Sequence, residues 1–215
     1  LQVKALLWSA CVLAGLGASH VSADPLESDV RQVRVGTKLD DRSATGLTGF
    51  SCAAGGVGLE SWSDYRRCPA DAGGLREVRF EFQENEALAR MADRWEGTKI
   101  AGHPVVLTMA VGDGGTIEAL HIVTDEKASP YLRKKAFLLS LKVREHYGTD
   151  GWTCKDLPRR TGETEIGGMF IKQECRKDVA GRSLKMETRL FRGPGQEGKN
   201  YEDSVTVQVT RASAS

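Results

Sequence analysis

The chain has 215 residues, and its 30 lysines and arginines nearly balance its 29 aspartates and glutamates. A chain with so little net charge has no overall field that draws it to nucleic acid or to an anionic membrane. Its length suits one domain of ordinary size or two small ones.

The first residues carry the pattern of a signal peptide. Lys4 is followed by fifteen uncharged residues, 5–19, and the small residues Val-Ser-Ala then occupy positions 21–23. The uncharged run is shorter than the ~20 apolar residues of a membrane span. The pattern predicts a signal peptide over residues 1–23 and a periplasmic or secreted protein with no transmembrane segment in its mature chain. A buried N-terminal helix is the alternative.

Cleavage at that point would leave 192 residues with 29 cations and 29 acids, because the leader holds one cation and no acid. It would also remove Cys11 and leave four cysteines: Cys52, Cys68, Cys154 and Cys175. An even number of cysteines in an exported chain favours disulfides, and four cysteines allow three pairings.

An internal repeat selects one of these pairings. The stretch GLTGFSC at residues 46–52 matches GTDGWTC at residues 148–154, and each copy continues to a second cysteine, an aspartate and an Ala-Gly pair. We interpret the match as a tandem duplication, with chance similarity of glycine-rich turns as the alternative. Pairing within each copy then predicts the disulfides Cys52–Cys68 and Cys154–Cys175.

Strands are predicted wherever apolar residues alternate with polar ones. The alternating stretches are residues 78–82, 152–157, 169–175, 183–191 and 205–209. Two further apolar runs flank the glycines at positions 112–115, a strong signal for a β-hairpin.

Two helices are predicted between the strands. The first is short and covers residues 85–97. The second covers residues 130–147, with Ser129 as its N-cap and Gly148 at its end. Its main apolar face holds Leu132, Ala136, Leu139, Val143 and Tyr147. Phe137 and Leu141 form a second apolar ridge, which we expect another element to cover.

Together these elements predict an α+β protein. We expect antiparallel sheets with one long amphipathic helix and shorter helices, arranged as two related disulfide-containing modules in tandem. The first module would span residues 24–97 and the second residues 98–215.

The sequence holds no motif that indicates catalysis. His103, His121 and His146 lack the spacing of metal ligands, and the nucleophile elbow G-x-S-x-G is absent. We therefore expect no metal, no cofactor and no catalytic residues. The alternative is an exported hydrolase with an active site between the modules, where Ser51, His121 and an acid converge.

Six residues are candidates for binding. Trp62, Tyr65 and Arg66 lie together beside a predicted disulfide, and these residue types are enriched at interfaces. If their segment is extended, at most one of the two aromatic side chains points into the core, which leaves the other for a surface. The long helix adds Arg133, Lys134 and Lys142, which suit an anionic partner, although a basic helix face is often only solvated.

The plan of an exported chain with two modules, each with helices, an antiparallel sheet and its own disulfide, resembles the secreted β-lactamase inhibitory proteins. The resemblance concerns the plan alone and rests on no shared motif. It implies a binding protein with a concave sheet.

We therefore expect an exported, non-catalytic binding or envelope-associated protein. Its partner would be another protein or an anionic component of the cell envelope, and not nucleic acid.

Cleavage after Ala23 is testable on protein recovered from its host. We expect N-terminal sequencing to begin at Asp24, because the small residues at positions 21–23 form the recognition site. A mature protein that keeps residues 5–19 would contradict the prediction.

Overall fold

The computed structural model describes residues 26–39, 45–82, 97–129, 131–133 and 135–212. Three predicted features lie outside these ranges. They are the signal peptide with its cleavage site, Lys134, and residues 85–96 of the first predicted helix.

The described chain is dominated by one antiparallel sheet of nine strands. The strands are β1 (Thr48–Cys52), β2 (Arg76–Glu81), β3 (Lys99–Ile100), β4 (His103–Val111), β5 (Ile117–Thr124), β6 (Thr153–Asp156), β7 (Ile171–Val179), β8 (Arg182–Phe191) and β9 (Glu202–Arg211). Their order across the sheet is β1-β2-β4-β5-β9-β8-β7-β6, and β3 pairs with β4 off this path.

The hairpin predicted around the glycines at positions 112–115 is confirmed as β4 and β5, which pair in antiparallel fashion. Gly115 donates its backbone N–H to the carbonyl of Gly112 over 2.8 Å, and its φ of 77° is in the left-handed region that glycine adopts without strain. The chain then leaves the centre of the sheet, forms β6 at the far edge and returns through β7 and β8 to β9. Because β9 pairs with β5, strands β1–β5 and strands β6–β9 form one continuous sheet.

One face of the sheet forms the core. Side chains alternate between the two faces of a strand, and the inward positions carry apolar residues in every long strand. Examples from five neighbouring strands are Val78, Met109, Leu120, Val209 and Leu184, all of which are buried. The same alternation sends charged and hydroxyl side chains to the opposite face.

Three segments cover the core face. The N-terminal segment contributes Val33 and Val35, a 3₁₀ helix at Trp62–Arg67 contributes its aromatic residues, and an α-helix, α1 (Leu139–His146), contributes Leu139 and Val143. All of these side chains belong to the buried hydrophobic core.

A buried polar cluster connects these layers. The guanidinium of Arg182, which begins β8, lies 3.2 Å from Asp29 Oδ1, and the hydroxyl of Tyr147 donates to the same oxygen over 2.9 Å. Asp29 Oδ2 accepts the backbone N–H of Val35, and Arg182 donates to the carbonyl of Leu26. Burial, followed by the negative charge of Asp29, raises the pKa of Tyr147, so this tyrosine stays protonated and acts as a hydrogen-bond donor.

The predicted α+β class is wrong. The structure is 44% strand and 10% helix, and α1 is the only helix of seven or more residues in the part of the chain that it describes. The protein is therefore a mainly antiparallel β protein, in which short helical segments cover one sheet.

The long helix was overpredicted at its N-terminal end. Ser129 does accept the N–H groups of Leu132 and Arg133, but these bonds close a turn only. Lys135 then has a φ of 62°, which a right-handed helix excludes. Helical structure starts at Ala136–Leu138 because the carboxylate of Asp203, on β9, accepts the backbone N–H of Phe137 over 2.9 Å. A distant residue thus provides the cap that the local sequence had assigned to Ser129.

The main apolar face of the helix is correctly predicted, whereas the second ridge is not. Leu139, Val143 and Tyr147 are buried. Leu141, which we expected another element to cover, is 57% exposed, and Phe137 is half-buried.

The structure pairs Cys52 with Cys68 and Cys154 with Cys175, as the repeat predicted. The two second cysteines nevertheless lie in different local structure, because Cys68 follows a 3₁₀ helix and Cys175 lies in β7. Pairing of β2 with β4 also crosses the predicted module boundary at residues 97 and 98. The duplication and its modules stay predictions.

The packing of α1 can be tested with two leucines of the same helix. Leu139→Ala should lower the free energy of unfolding by about 2–5 kcal/mol, because it leaves a cavity in the core. Leu141→Ala is the matched control and should change it by less than about 0.5 kcal/mol, because Leu141 is exposed. Urea unfolding followed by circular dichroism measures both, and equal losses would show that the two faces are assigned incorrectly.

Candidate functional site on the open face of the sheet

The face of the sheet opposite the core is largely polar, and we call it the open face; its apolar positions, such as Val106 and Val123, lie in the central strands β4 and β5. Strand register places one row of its side chains directly across the sheet. The row runs Ser51, Arg79, Thr108, His121, Gln208, Lys185, Arg176 and Thr153. All eight residues are exposed or half-exposed. An antiparallel sheet commonly has one solvated face, so exposure alone does not make this face a site.

A charge network at one end of the open face distinguishes it. Glu174 on β7 lies directly opposite Glu187 on β8, and two such carboxylates repel each other. Lys185 lies between them, with its Nζ 3.3 Å from Glu174 and 3.0 Å from Glu187. Arg176 donates to Glu174 over 2.9 Å, and Lys155 on β6 approaches the same carboxylate at 3.2 Å.

The network contains more cations than acids, and the cations are the outer groups. We call Lys155, Arg176, Lys185 and Arg189 the cationic patch. Its side chains are 64%, 64%, 38% and 46% exposed, whereas those of Glu174 and Glu187 are 9% and 25% exposed. The carboxylates therefore hold the cations in place from below, and the surface that solvent meets is positive.

The ion pairs shift the titration of both carboxylates. The hydrogen bond from Arg176, with smaller contributions from Lys155 and Lys185, lowers the pKa of Glu174 to about 2. Lys185 is the main cause of the lowered pKa of Glu187, and that same pair raises the pKa of Lys185. Glu174, Glu187 and Lys185 are therefore all charged at neutral pH, and the ion pairs among them are present there.

A cavity of about 410 Å³ on the core side is the second place for a ligand. Its apolar walls come from Val30, Phe82, Ile100, Ile122 and Val143.

Four of the polar groups around the cavity already have partners. Asp29 and Tyr147 belong to the cluster with Arg182, His146 Nε2 lies 3.0 Å from the carbonyl of Ser28, and Lys142 pairs with Glu145 at 2.8 Å. The cavity therefore offers a ligand fewer polar side chains for hydrogen bonds and ion pairs than the open face does.

The aromatic binding candidates belong to the core. Trp62 and Tyr65 are only 2% and 4% exposed, because their segment is a 3₁₀ helix and not the extended chain on which we based the prediction. Tyr65 donates its hydroxyl to the carbonyl of Asp113 over 3.1 Å, which ties the segment to the β4–β5 hairpin. Arg66 is exposed and donates to the same carbonyl over 3.2 Å.

The structure does not assemble the basic helix candidates into one patch. Arg133 uses its Nε to bind the carbonyl of Ala128, and Lys142 is exposed next to Glu145. Lys134 lies outside the described residues. The cationic patch lies instead on three strands, and its alternating charges in β7 and β8 were visible in the sequence. Only the register shows that they converge.

Ser51 and His121, considered above for a hydrolase, are not within reach of each other. Ser51 and His121 lie on the same row, but β2 and β4 separate their strands, which places them about 14 Å apart at ~4.8 Å per strand. His121 Nδ1 lies 3.9 Å from Glu77. In the described ranges, no three histidine, cysteine or acidic residues form a group that could hold a metal ion.

The titration of Glu174 can be tested directly. Because its pKa is lower in the folded than in the unfolded protein, ionised Glu174 stabilises the fold above about pH 4.5, and this stabilisation is lost as the pH falls toward 2. The difference in stability between the wild type and Glu174→Gln, measured by urea unfolding, should shrink over that interval. Arg176→Gln should raise the pKa of Glu174, measured by NMR, and an unchanged pKa would exclude Arg176 as its cause.

No protein-family model, no curated protein and no solved structure matches the chain.

Proposed function

We propose that the protein is exported and non-catalytic, and that its cationic patch binds an anionic partner outside the cytoplasm. The partner would carry phosphate or carboxylate groups, either on an envelope component or on the acidic surface of another protein.

Two observations support export. Disulfides form and persist mainly in oxidising compartments, and the structure contains two of them. The second is the leader pattern of residues 1–23. Separately, no helix within the described ranges is long and apolar enough to cross a membrane.

The observation that carries the binding proposal is the arrangement of charge on the open face. Four exposed cations stand over two recessed carboxylates, so this network itself carries two more positive than negative charges. A positive surface of this kind speeds the approach of an anionic partner and selects against cationic ones.

The same ion pairs prepare the patch for binding. Lysine and arginine side chains normally lose about 0.5–1.5 kcal/mol each of rotamer freedom when a partner immobilises them. Here Glu174 and Glu187 already restrict Arg176, Lys185 and Arg189, so part of that ordering has taken place before the partner arrives.

The spacing of the cations suits a partner with several anionic groups. The patch spans β6, β7 and β8, a width of about 10 Å at ~4.8 Å per strand. Arginine binds phosphate and carboxylate through two parallel hydrogen bonds, and lysine binds them as a point charge.

A charge-matched pair of variants tests the proposal. Lys155→Gln with Arg189→Gln removes two patch cations and leaves Arg176 and Lys185 to hold both carboxylates. Lys38→Gln with Lys127→Gln removes two exposed cations that lie elsewhere, so both variants have the same net charge. The probes are vesicles that contain phosphatidylglycerol and, separately, immobilised polyglutamate.

We expect added salt to weaken binding of the wild type to at least one probe. The patch variant should bind that probe about tenfold to thirtyfold more weakly, at roughly 1 kcal/mol per cation, whereas the control variant should bind like the wild type. Vesicle binding alone would indicate a lipid headgroup, and polyglutamate binding alone an acidic polymer or protein. Equal losses in the two variants would reject the patch as the site.

A further inference from the structure

The two disulfides have different surroundings. Cys52 and Cys68 are 0% and 1% exposed, so a reagent in solution reaches neither sulfur without unfolding. Cys175 is equally buried at 1%, but its partner Cys154 is an exposed residue in a strand, β6, whose four residues are all exposed. One residue of the second bridge is therefore exposed, whereas both residues of the first are buried.

A cation contacts the second bridge. Arg144 on α1 places its Nη2 3.1 Å from Cys154 Sγ and 3.0 Å from Cys175 Sγ. The same nitrogen donates to Gln173 Oε1 over 3.1 Å, which holds the guanidinium in this position. Among the described residues no carboxylate pairs with Arg144, so its charge is not neutralised by an ion pair.

This arrangement matches what thiol–disulfide exchange requires. An attacking thiolate needs access to one sulfur, and the other sulfur must leave as a thiolate. A neighbouring cation lowers the pKa of a cysteine thiol, and a leaving thiol of lower pKa departs faster. Cys154 offers the access, and Arg144 would stabilise the negative charge that develops on Cys175.

We propose that Cys154–Cys175 is a thiol-exchange site, whereas Cys52–Cys68 is a permanent structural bridge. The reactant is a small exogenous thiol. Its thiolate forms a bond to Cys154 Sγ, and the electron pair of the Cys154–Cys175 bond goes to Cys175 Sγ, which leaves as a thiolate next to Arg144.

A second thiolate then attacks the mixed disulfide and displaces Cys154 as a thiolate. The two reactant molecules end as one oxidised disulfide. The protein has gained two electrons and, with protons from water, two thiols.

The test uses the oxidised full chain in native buffer with reduced glutathione. Samples are quenched with an alkylating reagent at successive times, and peptide mass mapping reports each cysteine separately. We expect the Cys154–Cys175 bridge to open at least ~10-fold faster than Cys52–Cys68, which is the internal control. The first adduct should carry glutathione on Cys154 and the alkyl group on Cys175. Equal opening rates would show that exchange follows global unfolding, and glutathione on Cys175 would show the wrong direction of attack; either result overturns the proposal.

The role of Arg144 is tested with two substitutions. Arg144→Gln should slow the opening of Cys154–Cys175 by about three- to tenfold and leave Cys52–Cys68 unchanged, because the leaving thiolate loses its cation. Arg144→Lys keeps the charge and should retain most of the rate. If both substitutions slow exchange equally, or neither does, Arg144 is not the electrostatic group. Should Arg144→Gln fail to fold, the adduct position and the ratio of opening rates in the wild type still decide the proposal.

Discussion

The buried contact between Asp29 and Arg182 is the interaction on which the layers of the structure depend. Both side chains are essentially removed from water, at 0% and 1% exposed, and each would be costly to bury alone. With its hydrogen-bond partners, this pair joins three distant parts of the chain: the N-terminal segment, the residue that follows α1 and the start of β8. Removing one partner of such a pair typically costs about 3–5 kcal/mol, because the other charge is left buried without compensation. Through these bonds the contact links the N-terminal segment and the end of α1 to β8.

The covering segments bury one face of the sheet and leave the other exposed, so the two faces are under different constraints. The inner face is apolar and almost entirely buried, so its residues are constrained by packing. The outer face has no such constraint, and its charges are arranged by cross-strand register. Stability and the proposed recognition are thus separated onto alternate residues of the same strands, which lets β8 bury Leu184 and Met186 while it presents Lys185 and Glu187.

The features that depend on local sequence were predictable, and those that depend on distant contacts were not. The β4–β5 hairpin and the strand at residues 205–209 follow from a period of two and from glycine at a turn. The start of the second helix depends on Asp203, which is 66 residues from Phe137, so the signal at Ser129 was misleading. Similarly, Trp62 and Tyr65 match the composition of an interface, but a 3₁₀ turn directs both into the core. The cationic patch requires the register of three strands, which no single stretch of sequence contains.

The two ends of the open sheet have consequences for self-association. An edge strand carries unpaired backbone N–H and C=O groups that can pair with the edge of another molecule and seed aggregates. At β1 the chain itself occupies this position, since Cys52 donates its N–H to the carbonyl of Val57 and Leu59 donates to that of Phe50. At β6 all four residues are exposed, and the strand is protected by its shortness, by the charges of Lys155 and Asp156, and by its covalent link to β7. The two edges are thus guarded differently: β1 by a segment of its own chain, and β6 by its shortness, its charges and its disulfide.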